Sequence, residues 1–198
     1  MTLIARLLAF LSSHNIPKTA ERDSHHYFGL GTQYYFSARA ATFAGCFPIA
    51  GNLFHHAVEM FLKGVLVQQL SRARLRSYGH NLKRLWKVYK NSNPTVDRLV
   101  HDSCVRDLHK FERIRYPDLL TDKGMFGTIS VSRPSAPPSM WSADGATLPA
   151  YHLVVNDIDQ LVRIIFDTAS INPEFYFDRV GMDWRALIHR DNPAFPAA

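Results

Sequence analysis

Along the largely apolar stretch from Ile49 to Leu70, Asn52, His56, Glu59 and Lys63 fall on one line. Spacings of four, three and four residues stack these side chains on a single stripe of an α-helix, and Glu59 ahead of Lys63 is the favourable i,i+4 orientation for an ion pair. The remainder of that helix is apolar nearly all round, the pattern of a helix buried on most sides. A charge in such a setting must be paired or it neutralises. The stripe therefore has two readings: a polar seam lining a pocket or dimer groove, or a satisfied network that fixes packing register.

The next chemistry is electrostatic. From residue 60 to residue 96 there is no Asp or Glu, while Lys63, Arg72, Arg74, Arg76, Lys83, Arg84, Lys87 and Lys90 supply eight positive charges. The whole chain carries a formal net charge of only +6, so the remaining 15 basic and 17 acidic residues leave the rest slightly negative. On a helical wheel from Asn81, Leu82, Leu85, Trp86 and Tyr89 share one face. Lys83, Lys87 and Lys90 take the opposite one, with Arg84 at its edge, as on a surface helix. Arg72, Arg74, Arg76, His80, Lys83, Arg84 and Lys87 are the candidate phosphate-binding residues, for a nucleic-acid backbone or a nucleotide. An ordinary solvated face is the alternative.

Other site chemistries are missing from the sequence. It has no Walker A loop, no G-x-S-x-G elbow and no H-E-x-x-H helix. Gly29 and Gly31 do not open a dinucleotide fingerprint, because the third glycine position holds Tyr34. Ten histidines raise a metal question. The adjacent pairs His25–His26 and His55–His56 splay by about 100° on a helix, and no Cys/His set has zinc spacing. The expectation is no metal and no cofactor. Cys46 and Cys104 form neither a disulfide framework nor a nucleophile pattern, which points to a reducing, cytoplasmic compartment. Apolar residues at 46% and charged residues at 20% suit a globular core. No apolar run approaches the roughly 20 residues needed to span a bilayer.

The elements that must position these residues are helices. Residues 1–14 read as an amphipathic helix rather than a signal peptide, and Ile16 to Ser24 as a polar connector. Helical patterns then run over 27–46, 49–70, 81–90, 94–115 and 157–171. Pro48 opens the second, and Asn93-Pro94 supplies a cap and first position for the fourth. Asp157 with Gln160 resembles a capping box for the last. Pro117 to Val154 is too long for an ordinary loop. Within it, Phe126–Ser132 and Tyr151–Val155 have strand character, so the segment reads as a long loop or a small β-hairpin arm. A short helix is expected near 184–189, followed by a frayed tail. The expected class is all-α, an antiparallel up-and-down four- to five-helix bundle. Its organisation is a helix and connector over 1–24, the bundle over 25–172 with the arm at 117–154, and a C-terminal extension over 173–198.

Three ordered segments, AVEMFLKGVL at 57–66, YGHNLKRLW at 78–86 and ERIRYPDLL at 112–120, resemble the HEPN superfamily of small helical bundles. The resemblance covers about 27–171. It implies a helical bundle, a homodimer and a link to nucleotides or RNA, either as a ribonuclease of toxin–antitoxin type or as the partner of a nucleotidyltransferase. The ribonuclease branch carries Arg followed by His five to seven positions on, near the start of a late helix. Arg113 and Arg115 have no such His, while Arg106–His109 and Arg185–His189 are spaced too closely. Arg74 and His80 have the right separation but precede the wrong helix. The reading is thus a non-catalytic, phosphate-binding module. One alternative is a divergent ribonuclease with Glu59, Arg74 and His80 as its catalytic candidates, Glu59 orienting His80. A third is a structural module whose basic helix meets an acidic protein.

Overall fold

The computed structural model describes residues 18–94, 101–115, 126–133 and 150–196. Helices dominate them: α1 (Lys18–Phe43), α2 (Phe47–Leu66), α3 (Arg72–Ser77), α4 (Leu82–Ser92), α5 (Asp102–Lys110), a 3-10 turn over Phe111–Arg115, α6 (Val155–Thr168), α7 (Glu174–Phe177) and α8 (Met182–His189). Two short strands, β1 (Phe126–Ser130) and β2 (Ala150–Val154), complete the set. The all-α class therefore holds, with a two-stranded addition. No helix among the described residues is long and apolar enough to cross a membrane.

Helices α1 and α2 make the most extensive packing in the chain. Their crossing is reciprocal: a Cβ on Gly31 would stand 2.7 Å from the Phe61 ring, and one on Gly64 would stand 2.7 Å from the Phe28 ring. Each glycine seats the other helix's aromatic ring, which explains a residue that otherwise weakens a helix. Phe166 of α6 closes the cluster, 4.9 Å from Phe28 and 5.0 Å from Phe61 between centroids. Pro48 sits in the first turn of α2, where its missing N–H costs nothing.

Several expectations change. Helix α1 starts at Lys18, so most of the expected connector to Ser24 is helical. Its buried face carries Phe28, Tyr35, Phe36, Ala38 and Arg39, whereas Leu30 is exposed. The strands pair in parallel, Phe126 with Ala150 through Ser130 with Val154, so they are not a hairpin. A parallel pair requires a crossover instead of a tight turn. Strand β1 packs on α2 and β2 on α5, which ties both strands to the helical body. The fourth expected helix gives way to a 3-10 turn over Phe111–Arg115 at its C-terminal end. Asn93 ends α4, with its Nδ2 donating to Tyr89 O, and the described part of the next helix is α5. Asp157 does not cap α6; it receives Arg133 at 2.9 Å. The C-terminal segment is not frayed through residue 196: Phe177, Ile188, Ala194 and Phe195 join the main core. The expected helix over 1–14, residues 95–100 of the fourth helix and the 134–149 loop lie outside the described residues.

Candidate functional site

The polar stripe of α2 meets the rest of the chain at Glu59, whose side chain is fully buried. Lys63 Nζ donates to its Oε1 at 2.6 Å, one helical turn on. The other oxygen faces imidazoles. His80 Nδ1 lies 3.0 Å from Oε2, His55 Nε2 3.6 Å and His56 Nδ1 3.7 Å. Burial alone would raise the Glu59 carboxyl. The polar contacts of His55, His56 and Lys63, with the Lys63 charge, outweigh that and hold it far below the usual carboxylate range.

A turn makes this arrangement possible. Gly79 adopts φ +55°, a left-handed conformation that side chains disfavour. It redirects the chain between α3 and α4, and its carbonyl accepts from Lys63 Nζ at 3.1 Å. His80 follows directly, over Glu59, and Asn81 then caps α4 by accepting from the Arg84 N–H. His80 remains about half exposed, at 49%. Nδ1 meets the carboxylate, so Nε2 is the ring nitrogen left to exchange a proton or meet a ligand.

From the other side, the 3-10 turn is anchored by Phe111, which packs where a Cβ on Gly51 would stand 2.0 Å away. Asn52 Nδ2 donates to Phe111 O at 3.2 Å. This docking brings Glu112 Oε2 to 3.5 Å from His55 Nε2 and the His109 ring to 6.2 Å from the His55 ring. His80, His56, His55 and His109 thus form a run of four neighbouring imidazoles. Burial pushes His109 down, and the charges of Lys83 and Arg113 add to that effect.

The cationic surface begins at this cluster. Arg74, Arg76, Lys83, Arg84 and Lys87 are exposed and make no ion pair among the described residues. Arg74 and Arg84 converge across the Gly79 turn on the Tyr78 ring, 5.4 and 5.9 Å from its centroid. Leu82, Leu85, Trp86 and Tyr89 are buried beneath, so α4 shows Lys83 and Lys87 to solvent. Three of the eight charges do not belong to this surface, and the first, Lys63, is buried on Glu59. Arg72 grips Asp23 of α1 through both Nε and Nη2 at 2.5 Å, and its hydrogen bond holds the Asp23 carboxyl below its usual value. Lys90 pairs with Asp102 at 2.6 Å, beside a hydrogen bond from Trp86.

The structure joins two of the three catalytic candidates, Glu59 and His80. Arg74 is directed elsewhere, with Nε donating to Tyr78 OH at 3.2 Å. The four stripe residues separate as well: His56, Glu59 and Lys63 share the cluster, while Asn52 is spent on the 3-10 turn. The geometric argument against a shared ion at His55–His56 does not survive. The rings approach Glu59 with different nitrogens, Nε2 of one and Nδ1 of the other, and this closes the 100° splay of their Cα–Cβ bonds. His55, His109 and Glu112 were invisible as partners, because α5 and the 3-10 turn reach them only through tertiary packing.

A second buried charge network lies elsewhere. Arg39 Nη1 donates to Asp159 Oδ2 at 2.6 Å, with both side chains wholly buried. Tyr35 OH donates to Asp159 Oδ1 at 2.5 Å and accepts from Asn192 Nδ2 at 3.0 Å. Arg39 Nε donates to Leu187 O at 2.9 Å, and Nη2 donates to Arg190 O. A cleft of about 1300 Å³ also opens between α1 and the C-terminal helices, lined by Arg22, His25, Leu30, Phe175, Arg179 and Trp184. The chain matches no family model, no curated protein and no solved structure.

Proposed function

We propose that this protein binds the phosphates of a nucleic acid through the surface of α3, the Gly79 turn and α4. The observation that carries the reading is the group of five exposed cations, Arg74, Arg76, Lys83, Arg84 and Lys87, without a carboxylate partner among the described residues. Exposed cations without counter-charge create a local positive field, and phosphate contacts release bound counterions. His80 stands at the edge of the same turn, where it can donate to a phosphate oxygen. Arg72 has no part in this site, because Asp23 holds it.

The ordered set of HEPN-like segments supports the same reading. With it come an up-and-down bundle, a homodimer and partnership with a nucleotidyltransferase as parts of one proposal. The test is a fluorescence-anisotropy titration of a labelled single-stranded RNA at about 50 mM salt, where electrostatic binding is strong. Saturable binding is expected, and it falls steeply in the triple variant Lys83→Glu, Arg84→Glu, Lys87→Glu. An acidic protein captured by the same surface without any RNA or DNA affinity would replace this reading with that of a protein-interaction module.

A further inference from the structure

We propose that His56, Glu59 and His80 form a binding site for a single divalent metal ion, with zinc as the best fit. The proposal goes beyond polyanion binding and does not depend on it. His56 Nδ1, Glu59 Oε2 and His80 Nδ1 all lie within 4.8 Å of one another. Two of the separations are 3.0 Å (His80 to Glu59) and 3.7 Å (His56 to Glu59). Zinc bonds of about 2.0–2.2 Å in a tetrahedron place ligand atoms about 3.3–3.6 Å apart, so the three donors need only small shifts to meet an ion. Two imidazoles and one carboxylate are a zinc donor set, whereas magnesium and calcium take oxygen.

The neighbours are arranged as a metal site needs. Lys63 and its link to the Gly79 carbonyl hold Glu59 by Oε1 and leave Oε2 directed at the imidazoles. Glu59 is buried while His80 is half exposed, so an ion has a rigid ligand below and an entry path above.

An independent observation comes from His55, which is fully buried. Its Nδ1 lies 3.1 Å from Leu108 O, and a carbonyl only accepts, so Nδ1 carries the proton. Its Nε2 faces two carboxylate oxygens, Glu59 Oε2 at 3.6 Å and Glu112 Oε2 at 3.5 Å. Nε2 makes no hydrogen bond among the described residues. Two buried carboxylate oxygens at one ring nitrogen call for positive charge among them. A proton on Nε2 or a cation on Glu59 Oε2 supplies it, and the titration below separates the two. His55, His56 and Glu112 also place a donor atom each within 4.8 Å of one another, so a second set of donors adjoins the site through His56.

The experiment is zinc titration of the full chain by calorimetry after chelator treatment and dialysis, with cobalt as a spectroscopic substitute. One zinc per chain with a Kd below about 1 µM is expected, and cobalt should give the visible absorption of a tetrahedral site. His80→Ala should weaken zinc at least about tenfold with an unchanged circular dichroism spectrum, since His80 is a surface side chain. His56→Ala should do the same, and Lys87→Ala should have no effect. Absence of saturable uptake up to about 100 µM zinc overturns the proposal. So does equal affinity in the wild type, His80→Ala and His56→Ala, which would assign the ion to another histidine group. RNA affinity plays no part in this readout, so either proposal can fail alone.

Discussion

Two buried carboxylates, Asp159 and Glu59, are treated in opposite ways by the same fold. Asp159 is enclosed: Arg39 and Tyr35 are both fully buried, and Arg39's remaining donors end on the Leu187 and Arg190 carbonyls. Burial pushes its carboxyl up, while Arg39 and Tyr35 pull it back. Glu59 is also buried, yet one of its partners, His80, is half exposed and another, His55 Nε2, has no hydrogen bond among the described residues. A closed, satisfied network ties α1, α6 and the C-terminal segment together. An open, incompletely satisfied one beside a field of cations is where a ligand can complete the set.

The sharpest way to break this comparison is to remove a partner from each side. Arg39→Met should lower unfolding free energy by about 3–5 kcal/mol in chemical denaturation, because it strands Asp159 in the core. His80→Ala should change it by no more than about 0.5 kcal/mol, since His80 is exposed and Lys63 still holds Glu59. Equal losses in the two variants would make the open cluster a second structural clamp. A smaller effect separates cations that are engaged from those that are free. Burial raises the Asp102 carboxyl, but hydrogen bonds from Lys90 and Trp86 and the Lys90 charge bring it below its ordinary value. A depressed carboxyl contributes stability above its unfolded value, lost as pH falls through the folded one. Asp102→Asn should therefore cost about 0.2–1 kcal/mol near neutral pH, with the difference from wild type vanishing in acid. Lys87→Ala should show no such pH-dependent difference.

The open cluster was half legible in the sequence and the closed network was not. Asn52, His56, Glu59 and Lys63 announce themselves by spacing on one helix, and α4 by its two faces. Both signals are local. The parts that decide what the stripe does come from afar: His80 through a left-handed glycine, and His109 and Glu112 through the docking of Phe111 on Gly51. Arg39 and Asp159 are 120 positions apart, so neither hints at the other. The helical class followed from periodicity. The parallel strand pair did not, because two short extended runs say nothing about their relative direction. The C-terminal tail looks like a frayed end by composition, but Phe195 packs edge-to-face on Phe177 at 5.2 Å.

The most direct test of the account is the salt dependence of RNA binding to the wild-type chain. If Arg74, Arg76, Lys83, Arg84 and Lys87 all meet phosphates, the logarithm of affinity should fall against the logarithm of salt concentration with a slope of about −3 to −4 for a single strand. The triple Lys83→Glu, Arg84→Glu, Lys87→Glu variant should lose most of that slope. An affinity absent at about 50 mM salt, or a slope unchanged by the charge reversal, would contradict the claim that this surface is held open for a polyanion.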